Sequence, residues 1–429
     1  MEPVKHAARL APPSITPKNR KIPKNFHRIS YSKVSDLFRN FFHLPNQMLR
    51  YSSTILILAV AALCVLGLVM LASTGMWVRG LENPYHFVTR QAYMVGLGLV
   101  GAYVMARLPI HWYLRFAPAS YVVACVLLVL CFVPPIGVEI YGSKRWIGVP
   151  FIGQFQPSEP AKIAVIIALA AWFARWETEV KTFWRGFVMP GAIVVLPLGL
   201  IAAETDIGTA LSLGVTVAAI MFTVGTRLIY MIPSALLGMS AAGWFVYNNA
   251  NRWGRIEAWL DLENPIHQLD RGMQQWRGLL ALGNGGPWGV GLGNGVEKFG
   301  TLTFAHIDFI FPVIGEELGL PATLGVVLCY VAIAVSGIGI ALQARQIFER
   351  GIALGLTSVI VVPAMVNIGV TTAVLPNDGL PLPFVSFGGT SLAFSLAAVG
   401  LLVGIHRRSQ IAASSSYPLG KDARKALRL

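Results

Sequence analysis

TILILAVAALCVLGLVMLAS, residues 54–73, runs for twenty positions without a charged residue. A helix of that length spans about 30 Å, the thickness of a bilayer's hydrocarbon core. The apolar residues fall on every side of the segment, whereas a strand of a membrane barrel would alternate apolar and polar residues about every second position. The segment therefore reads as a transmembrane helix. Three others, 116–134, 207–224 and 392–405, share its uncharged character. Hydrophobic residues make up 55% of the 429 positions and charged ones 13%, with a mean hydropathy of +0.62, too apolar for a soluble protein of this size.

Extended along the chain, the pattern predicts an all-α polytopic membrane protein of about ten transmembrane helices, near 53–75, 87–107, 116–135, 159–175, 188–203, 207–224, 228–247, 309–342, 352–374 and 387–405. The first apolar run is too long for a removable signal peptide and has no small-residue cleavage site after it, so the first span is expected to remain as an anchor. The four cysteines, Cys64, Cys125, Cys131 and Cys329, lie in or beside apolar runs without CxxC spacing. They suggest packing rather than a disulfide framework or a zinc site.

Lys and Arg number 34 against 20 Asp and Glu, a net charge of +14. With ten spans the basic residues concentrate on the side of the termini and the acids on the other. By the positive-inside rule the termini are expected to be cytoplasmic. The surplus suits anionic lipid headgroups and gives no reason to invoke nucleic acid. Residues 1–50 and 408–429 read as basic tails around a membrane portion at 51–407. The one long connection, 248–307 between spans 7 and 8, falls on the side opposite the termini. Its four tryptophans, Trp253, Trp259, Trp276 and Trp288, argue for an ordered loop.

Four polar groups fall on that same outer face. The first joins Gly142-Ser143-Lys144-Arg145-Trp146-Ile147 to Gln156-Pro157-Ser158-Glu159-Pro160-Ala161-Lys162. Ser158 is a candidate helix cap, with Pro160 in the first turn and Glu159 favoured there by the helix dipole. Capping does not account for Lys144, Arg145 and Lys162, cations that suit an anionic headgroup or a pyrophosphate. The second is Glu204-Thr205-Asp206-Ile207-Gly208-Thr209-Ala210, where Asp206 is either a helix cap or a functional carboxylate and in both cases needs a cationic or amide partner. The third runs from the glycine-rich 283–295 to His306-Ile307-Asp308-Phe309-Ile310-Phe311 and Gly315-Glu316-Glu317-Leu318-Gly319. It holds no nucleotide-binding glycine motif. On a helical projection Asp308 shares a side with Pro312 and Gly315, which leaves room for a ligand. The fourth, Asn377-Asp378-Gly379-Leu380-Pro381-Leu382-Pro383-Phe384-Val385-Ser386-Phe387-Gly388-Gly389-Thr390-Ser391, is broken by prolines and predicts irregular backbone lining a cavity or simply packing, with Ser386 and Thr390 bonded to nearby backbone.

These groups, in this order, resemble the SEDS family of shape, elongation, division and sporulation proteins, which includes FtsW and RodA. The resemblance covers roughly 50–408 and rests on KRWI, QPSE, DIGTA, H-x-DFIF-x4-EELG and LPLPF-x-S-F-GG-x-S. Gly291-Leu292-Gly293-Asn294 with Glu297-Lys298, and the long basic tail, bring the chain closer to the FtsW type. It departs from the usual pattern at Ile307, at Leu302-Thr303-Phe304 and at Gly272-Met273-Gln274. The resemblance implies a peptidoglycan glycosyltransferase that polymerises lipid II at the outer face of the bacterial cytoplasmic membrane, for septal wall synthesis. It further implies work beside a class B penicillin-binding protein and other division or elongation membrane proteins. Asp308 matches the family's essential aspartate.

A lipid pyrophosphate leaves readily, so the reaction needs a base for the acceptor hydroxyl and positive charge for the departing group. Asp308 can be the base. Lys144, Arg145, Lys162, Arg252 and Arg255 can supply the charge, and a divalent cation, Mg or Mn, could join them; no cofactor is certain. Glu159, Asp206, His306, Glu316, Ser386, Gly388 and Gly389 are the expected supporting residues on the substrate side. The competing functions are a lipid II flippase and a non-catalytic scaffold of a division complex. A flippase predicts charge at mid-bilayer, where the spans carry almost none.

Overall fold

The computed structural model describes residues 49–75, 83, 85–140, 143–149, 153–299, 302 and 304–415. Most of the basic N-terminal tail, the end of the C-terminal one, Gly142 and Thr303 lie outside the described residues.

The chain forms α1 (Ser52–Gly75), α2 (His86–Arg107) and α3 (Ile110–Leu130), then β1 (Gly137–Ile140), β2 (Ser143–Val149) and β3 (Gly153–Phe155). Next come α4 (Ser158–Arg175), α5 (Met189–Ala203), which a π-turn at Trp184–Val188 leads into, α6 (Ile207–Val224) and α7 (Leu228–Tyr247). The long connection holds α8 (Ala250–Leu260), α9 (Pro265–Leu269) and α10 (Met273–Gly285), and the chain closes with α11 (Ile310–Gln343), α12 (Ile347–Thr371) and α13 (Thr390–Ser415). Among the described residues eight of these helices are long and apolar enough to cross a membrane. The charged helices α2 and α4 pack among them, so the chain is a polytopic helical membrane protein with ten long helices among the described residues.

The helical bundle also carries one small sheet: β1, β2 and β3 pair antiparallel in sequence order, with Val138 opposite Trp146 and Gly148 opposite Gln154. The last helix also runs on to Ser415, past the expected tail boundary at 408. Its extra turn is held where Arg408 donates to Glu349 Oε1 and the Leu108 carbonyl and Gln410 donates to Gln343.

In lipid, helices associate by close packing and hydrogen bonding rather than by expelling water. Helix α2 lies tightly along α13, where a Cβ at Gly400 would come within 2.1 Å of the Ala102 carbonyl oxygen and one at Gly404 within 2.9 Å of that of Ala106. In α5, Pro197 has no N–H to give the Ile193 carbonyl four residues back. The Tyr121 hydroxyl of α3 donates to that carbonyl instead, at 2.9 Å. Helix α12 packs against α4, α6 and α11, and its Ile352, Leu356 and Ile360 meet a core that includes Ile166, Leu169 and Ile220. Helix α7 stands apart, with no buried residue.

Helix α11 is broken at Gly319, where φ is +74° and ψ −170°. Together with Pro321, which has no N–H, the break frees the carbonyls of Glu316 and Glu317. The glycine-rich strap after α10 supplies the missing donors: Val290 donates to the Glu316 oxygen at 2.9 Å and Gly291 to that of Glu317 at 3.0 Å. The leading half of α11 and the strap therefore form one unit at the end of the bundle that holds Asp308.

Both ends of the described chain meet at the opposite end. Gln343 donates to the Leu49 carbonyl at 2.8 Å, and the His406 ring nitrogen lies 3.2 Å from the same oxygen. The two ends of the described residues and Asp308 thus occupy opposite faces of the bundle.

Candidate functional site

Strand β2 alternates its side chains. Ser143 and Arg145 share one face: the Ser143 hydroxyl donates to the Glu204 carbonyl at 2.8 Å, and Arg145 Nη1 lies 3.7 Å from Asp206 Oδ2. Lys144 points the other way, 3.9 Å from Glu139, with both side chains more than half exposed.

Asp206 caps α6, accepting from the Thr209 N–H at 3.1 Å, while Gln156 Nε2 donates to its other oxygen at 3.3 Å. The expected cap and the expected cationic and amide partners are all present. Thr205, just before it, has φ +67°, a left-handed conformation that costs a β-branched residue about 1–3 kcal/mol. That turn presents the Thr205 carbonyl to Arg252 Nη2 at 3.0 Å. Arg252 and Arg255 are three residues apart on α8 and so share a side. The helix is capped by Asn249 and anchored where Trp259 Nε1 donates to the Ala373 carbonyl at 2.8 Å.

Asp308 lies in the turn 304–309 that precedes α11, whose first helical residue is Ile310. The helical projection that grouped it with Pro312 and Gly315 therefore does not apply; Gly315 faces Leu282 of α10 instead. The turn is fixed from three sides. Asn367 Nδ2 of α12 donates to the Asp308 carbonyl at 2.7 Å and to the Leu380 carbonyl at 2.6 Å. The Ser386 hydroxyl donates to the Ile307 carbonyl at 2.5 Å and accepts from the Leu382 N–H at 2.8 Å. The Phe387 N–H reaches the His306 carbonyl at 3.0 Å. These bonds consume backbone groups and leave the Asp308 carboxylate, which is partly buried, facing Gly379 at the cluster's centre.

The carboxylate stands in the field of Arg145, Arg255, Asp206 and Asp378. Burial pushes its pKa up to about 7, Arg145 and Arg255 pull it down, and Asp378 and Asp206 push it further up. Asp378 is likewise raised, to about 6, by burial and by Asp206 against the pull of Arg252, Arg255 and Arg145. Glu204, buried at the end of α5, rises to about 8, chiefly by desolvation. Asp206, Asp308 and Asp378 with Arg145, Arg252 and Arg255, drawn from β2, α6, α8, the turn before α11 and the turn after α12, thus form one charged cluster.

Sequence reading placed Arg145, Asp206, Arg252, Arg255 and Asp308 in this cluster and overlooked Asp378 and Asn367. A lone asparagine in the apolar run of α12 was the available signal for Asn367, and a place as the single acid of the fourth polar group was the signal for Asp378. Other expected residues stand elsewhere. Glu159 and Lys162 bond each other at 2.9 Å in a buried pair on α4, so Lys162 already has its counter-ion. Ser158 does not cap α4: Pro157 occupies the cap position and the buried Ser158 hydroxyl meets no partner among the described residues. Glu316 accepts from the Val296 N–H at 2.9 Å and holds the strap rather than joining Asp308. The His306 ring packs 4.4 Å from that of Phe87, and burial lowers its pKa to about 4, which keeps it neutral. Ser386 positions the turn, and Gly388 and Gly389 form the bend into α13.

Among the described residues no three His, Cys, Asp or Glu side chains are grouped to hold a metal ion. The positive charge that this chain's own residues bring to the cluster is that of the three arginines.

Residues 54–411 match the family described as cell cycle proteins and typified by FtsW, RodA and SpoVE. A probable peptidoglycan glycosyltransferase FtsW of Trichlorobacter lovleyi is 36% identical over 373 residues, covering 86% of this chain and 96% of that protein. Stage V sporulation protein E of Bacillus subtilis is 33% identical over 361 residues, covering 83% and 97%. Among solved structures, a chain of a peptidoglycan synthase complex that coordinates polymerization and crosslinking superposes with a TM-score of 0.66 at 26% identity, covering 82% of this chain and 97% of its own. RodA of Thermus thermophilus superposes with a TM-score of 0.60 at 26% identity, over 82% and 96%. With ten long helices among the described residues, a charged cluster at the end away from Leu49 and His406, and a match over nearly its whole membrane portion, the chain belongs to the FtsW, RodA and SpoVE family of cell cycle proteins.

Proposed function

We propose that the cluster around Asp308 is the polymerising site of a peptidoglycan glycosyltransferase and that its donor is lipid II, engaged at the outer face of the cytoplasmic membrane with both termini inside. The observation that carries this reading is the convergence of Arg145 and Arg255 on Asp308, a partly buried carboxylate whose basicity burial has raised, with Arg252 beside the adjoining Asp378. The acceptor sugar's hydroxyl attacks the donor's anomeric carbon as the bond to the lipid pyrophosphate breaks. Asp308 takes the hydroxyl proton, and the pyrophosphate leaves with the bonding electron pair. The guanidinium groups suit its oxygens, because planar charged donors bind phosphate in pairs and need not reorganise as charge develops. One displacement turns an α-linked donor into a β-linked product.

The peptidoglycan synthase complex among the structural relatives supports a crosslinking partner, which we assign to the class B penicillin-binding proteins, with septal wall synthesis in division as the setting. The test follows glycan strands formed from labelled lipid II by the purified protein, reconstituted with a crosslinking partner whose transpeptidase is blocked. Asp308→Asn is expected to lower the rate about 10²–10⁴-fold, the usual contribution of a general base. Polymer from both proteins at similar rates would remove Asp308 as the base.

A further inference from the structure

Asp378 is a buried carboxylate that the mechanism above does not use. Its Oδ2 is packed so closely on the first turn of α6 that a Cβ at Gly208 would stand 2.2 Å from it. The next residue, Gly379, has φ +74° and lies against Asp308, where an added Cβ would fall 3.3 Å from Asp308 Oδ2. Asn377, one residue earlier, is pinned to Gln274 of α10 at 2.8 Å, and Leu380, two residues later, is pinned by Asn367. The segment is thus clamped on both sides and wedges Asp378 beside the α6 cap, next to the catalytic turn. The charged groups that face it are Asp206 on α6, Arg252 and Arg255 on α8, and Arg145 on β2, with Asp308 across Gly379.

We infer that Asp378 is a positioning residue whose negative charge offsets the three arginines, so that the site can hold a pyrophosphate without making Asp308 too weak a base. The problem it solves is inherent in the reaction. Cations that stabilise the leaving group also stabilise an ionised Asp308, and a carboxylate made more acidic accepts a proton less readily. A second fixed carboxylate, held by backbone rather than by an ion pair, restores the balance before the anionic donor arrives. The inference rests on the reading of Asp308 as the base.

The test is the pH dependence of lipid II polymerisation from about pH 4.5 to 8.5 by the reconstituted complex with its transpeptidase blocked, for wild type, Asp378→Asn, Asp378→Glu and Asp308→Asn. Loss of the like charge lowers the proton affinity of Asp308. In Asp378→Asn the acid limb of kcat/KM therefore moves to lower pH, by roughly half a unit or more. Its plateau kcat falls as the base weakens, and KM for the donor falls as the arginines lose a competitor. Asp378→Glu, which keeps the charge, holds its limb near that of wild type. A merely structural role would lower the rate without moving the limb. An unmoved limb in Asp378→Asn, or one moved upward, overturns the inference. Should that variant fail to accumulate, Asp378→Ser, a neutral side chain small enough to sit beside Gly208, reads the same limb with the same two outcomes. Full activity in Asp308→Asn would instead reject the parent reading, so the two failures are distinguishable.

Discussion

Two charged clusters sit at the same end of this bundle and are built on opposite principles. In the first, Lys298 spends its three protons on Glu317 Oε1 at 2.6 Å, Ser73 Oγ at 2.7 Å and the Gly293 carbonyl at 2.7 Å, and neither charged side chain is exposed. Glu317 in turn accepts from Ser73 and from the Gly293 N–H at 3.0 Å. Every donor and acceptor is matched, and the cluster ties α1, the strap and α11 together. In the second, three arginines face three carboxylates, yet the single pairing within 4 Å among the described residues is Arg145 with Asp206, at 3.7 Å. A matched cluster has nothing left to offer a substrate. An unmatched one keeps its charge for a partner that comes and goes, and it needs rigid backbone to hold like charges together.

The contrast breaks most visibly through the first cluster. Lys298→Met would strand a buried carboxylate, at a cost of about 3–5 kcal/mol of stability. Thermal unfolding of the detergent-solubilised protein is the measurement, and adding Glu317→Gln should recover part of the loss, because the stranded charge is then gone. Asp308→Asn should do the reverse of Lys298→Met: activity disappears while the protein unfolds no earlier than wild type. An acid whose folded pKa is raised opposes folding once it ionises, and the amide removes that opposition.

Next in size comes Arg145→Gln. Hydrogen bonds to a charged group contribute about 1.5–3 kcal/mol, so kcat/KM for the donor should fall roughly 10–150-fold with little change in unfolding temperature. Arg145→Lys should recover this only partly, since an ammonium cannot present two parallel donors. Smaller again is the pH effect in the wild type. With Asp308 raised to about 7, the ionised base disappears as pH drops through that value. At pH 6 the rate should be about a tenth of its plateau. A limb near 4 instead would place the reacting base in a solvated setting and undo the contrast with the matched cluster.

What the sequence made legible was whatever has a short period or a strong local preference. The uncharged runs marked the spans, and Asp206 ahead of α6 announced its cap. What it hid was assembled from distant pieces. The three-stranded sheet rests on strands of 4, 7 and 3 residues interrupted by glycines, too short for their alternation to stand out beside twenty-residue spans. Glu316, beside Glu317, looked like a site residue because acids at a membrane face usually are. Only the fold shows that the break at Gly319 gives the pair a strap to hold. Asp378 reaches the cluster by a turn 70 residues beyond Asp308 in the chain, and no spacing rule links the two.

The smallest effect is the most discriminating, because it falls on neighbouring cations that the sequence alone treats alike. Lys144 and Arg145 are adjacent, both basic and both at the end of the bundle that holds Asp308. Strand geometry sends them to opposite sides of the sheet, one to an exposed pairing with Glu139 and the other to Asp206. An exposed ion pair contributes about 0–1 kcal/mol, and no pyrophosphate bound beside Asp308 would meet the ammonium group. Lys144→Gln should therefore leave both polymerisation and unfolding temperature within about twofold and a degree or so of wild type, against the 10–150-fold loss expected one residue later. Equal losses from the two substitutions would mean that general positive charge near the membrane, rather than a directed guanidinium, receives the donor. The cluster's unmatched arginines would then lose their claim to be the feature that separates it from the Lys298 lock.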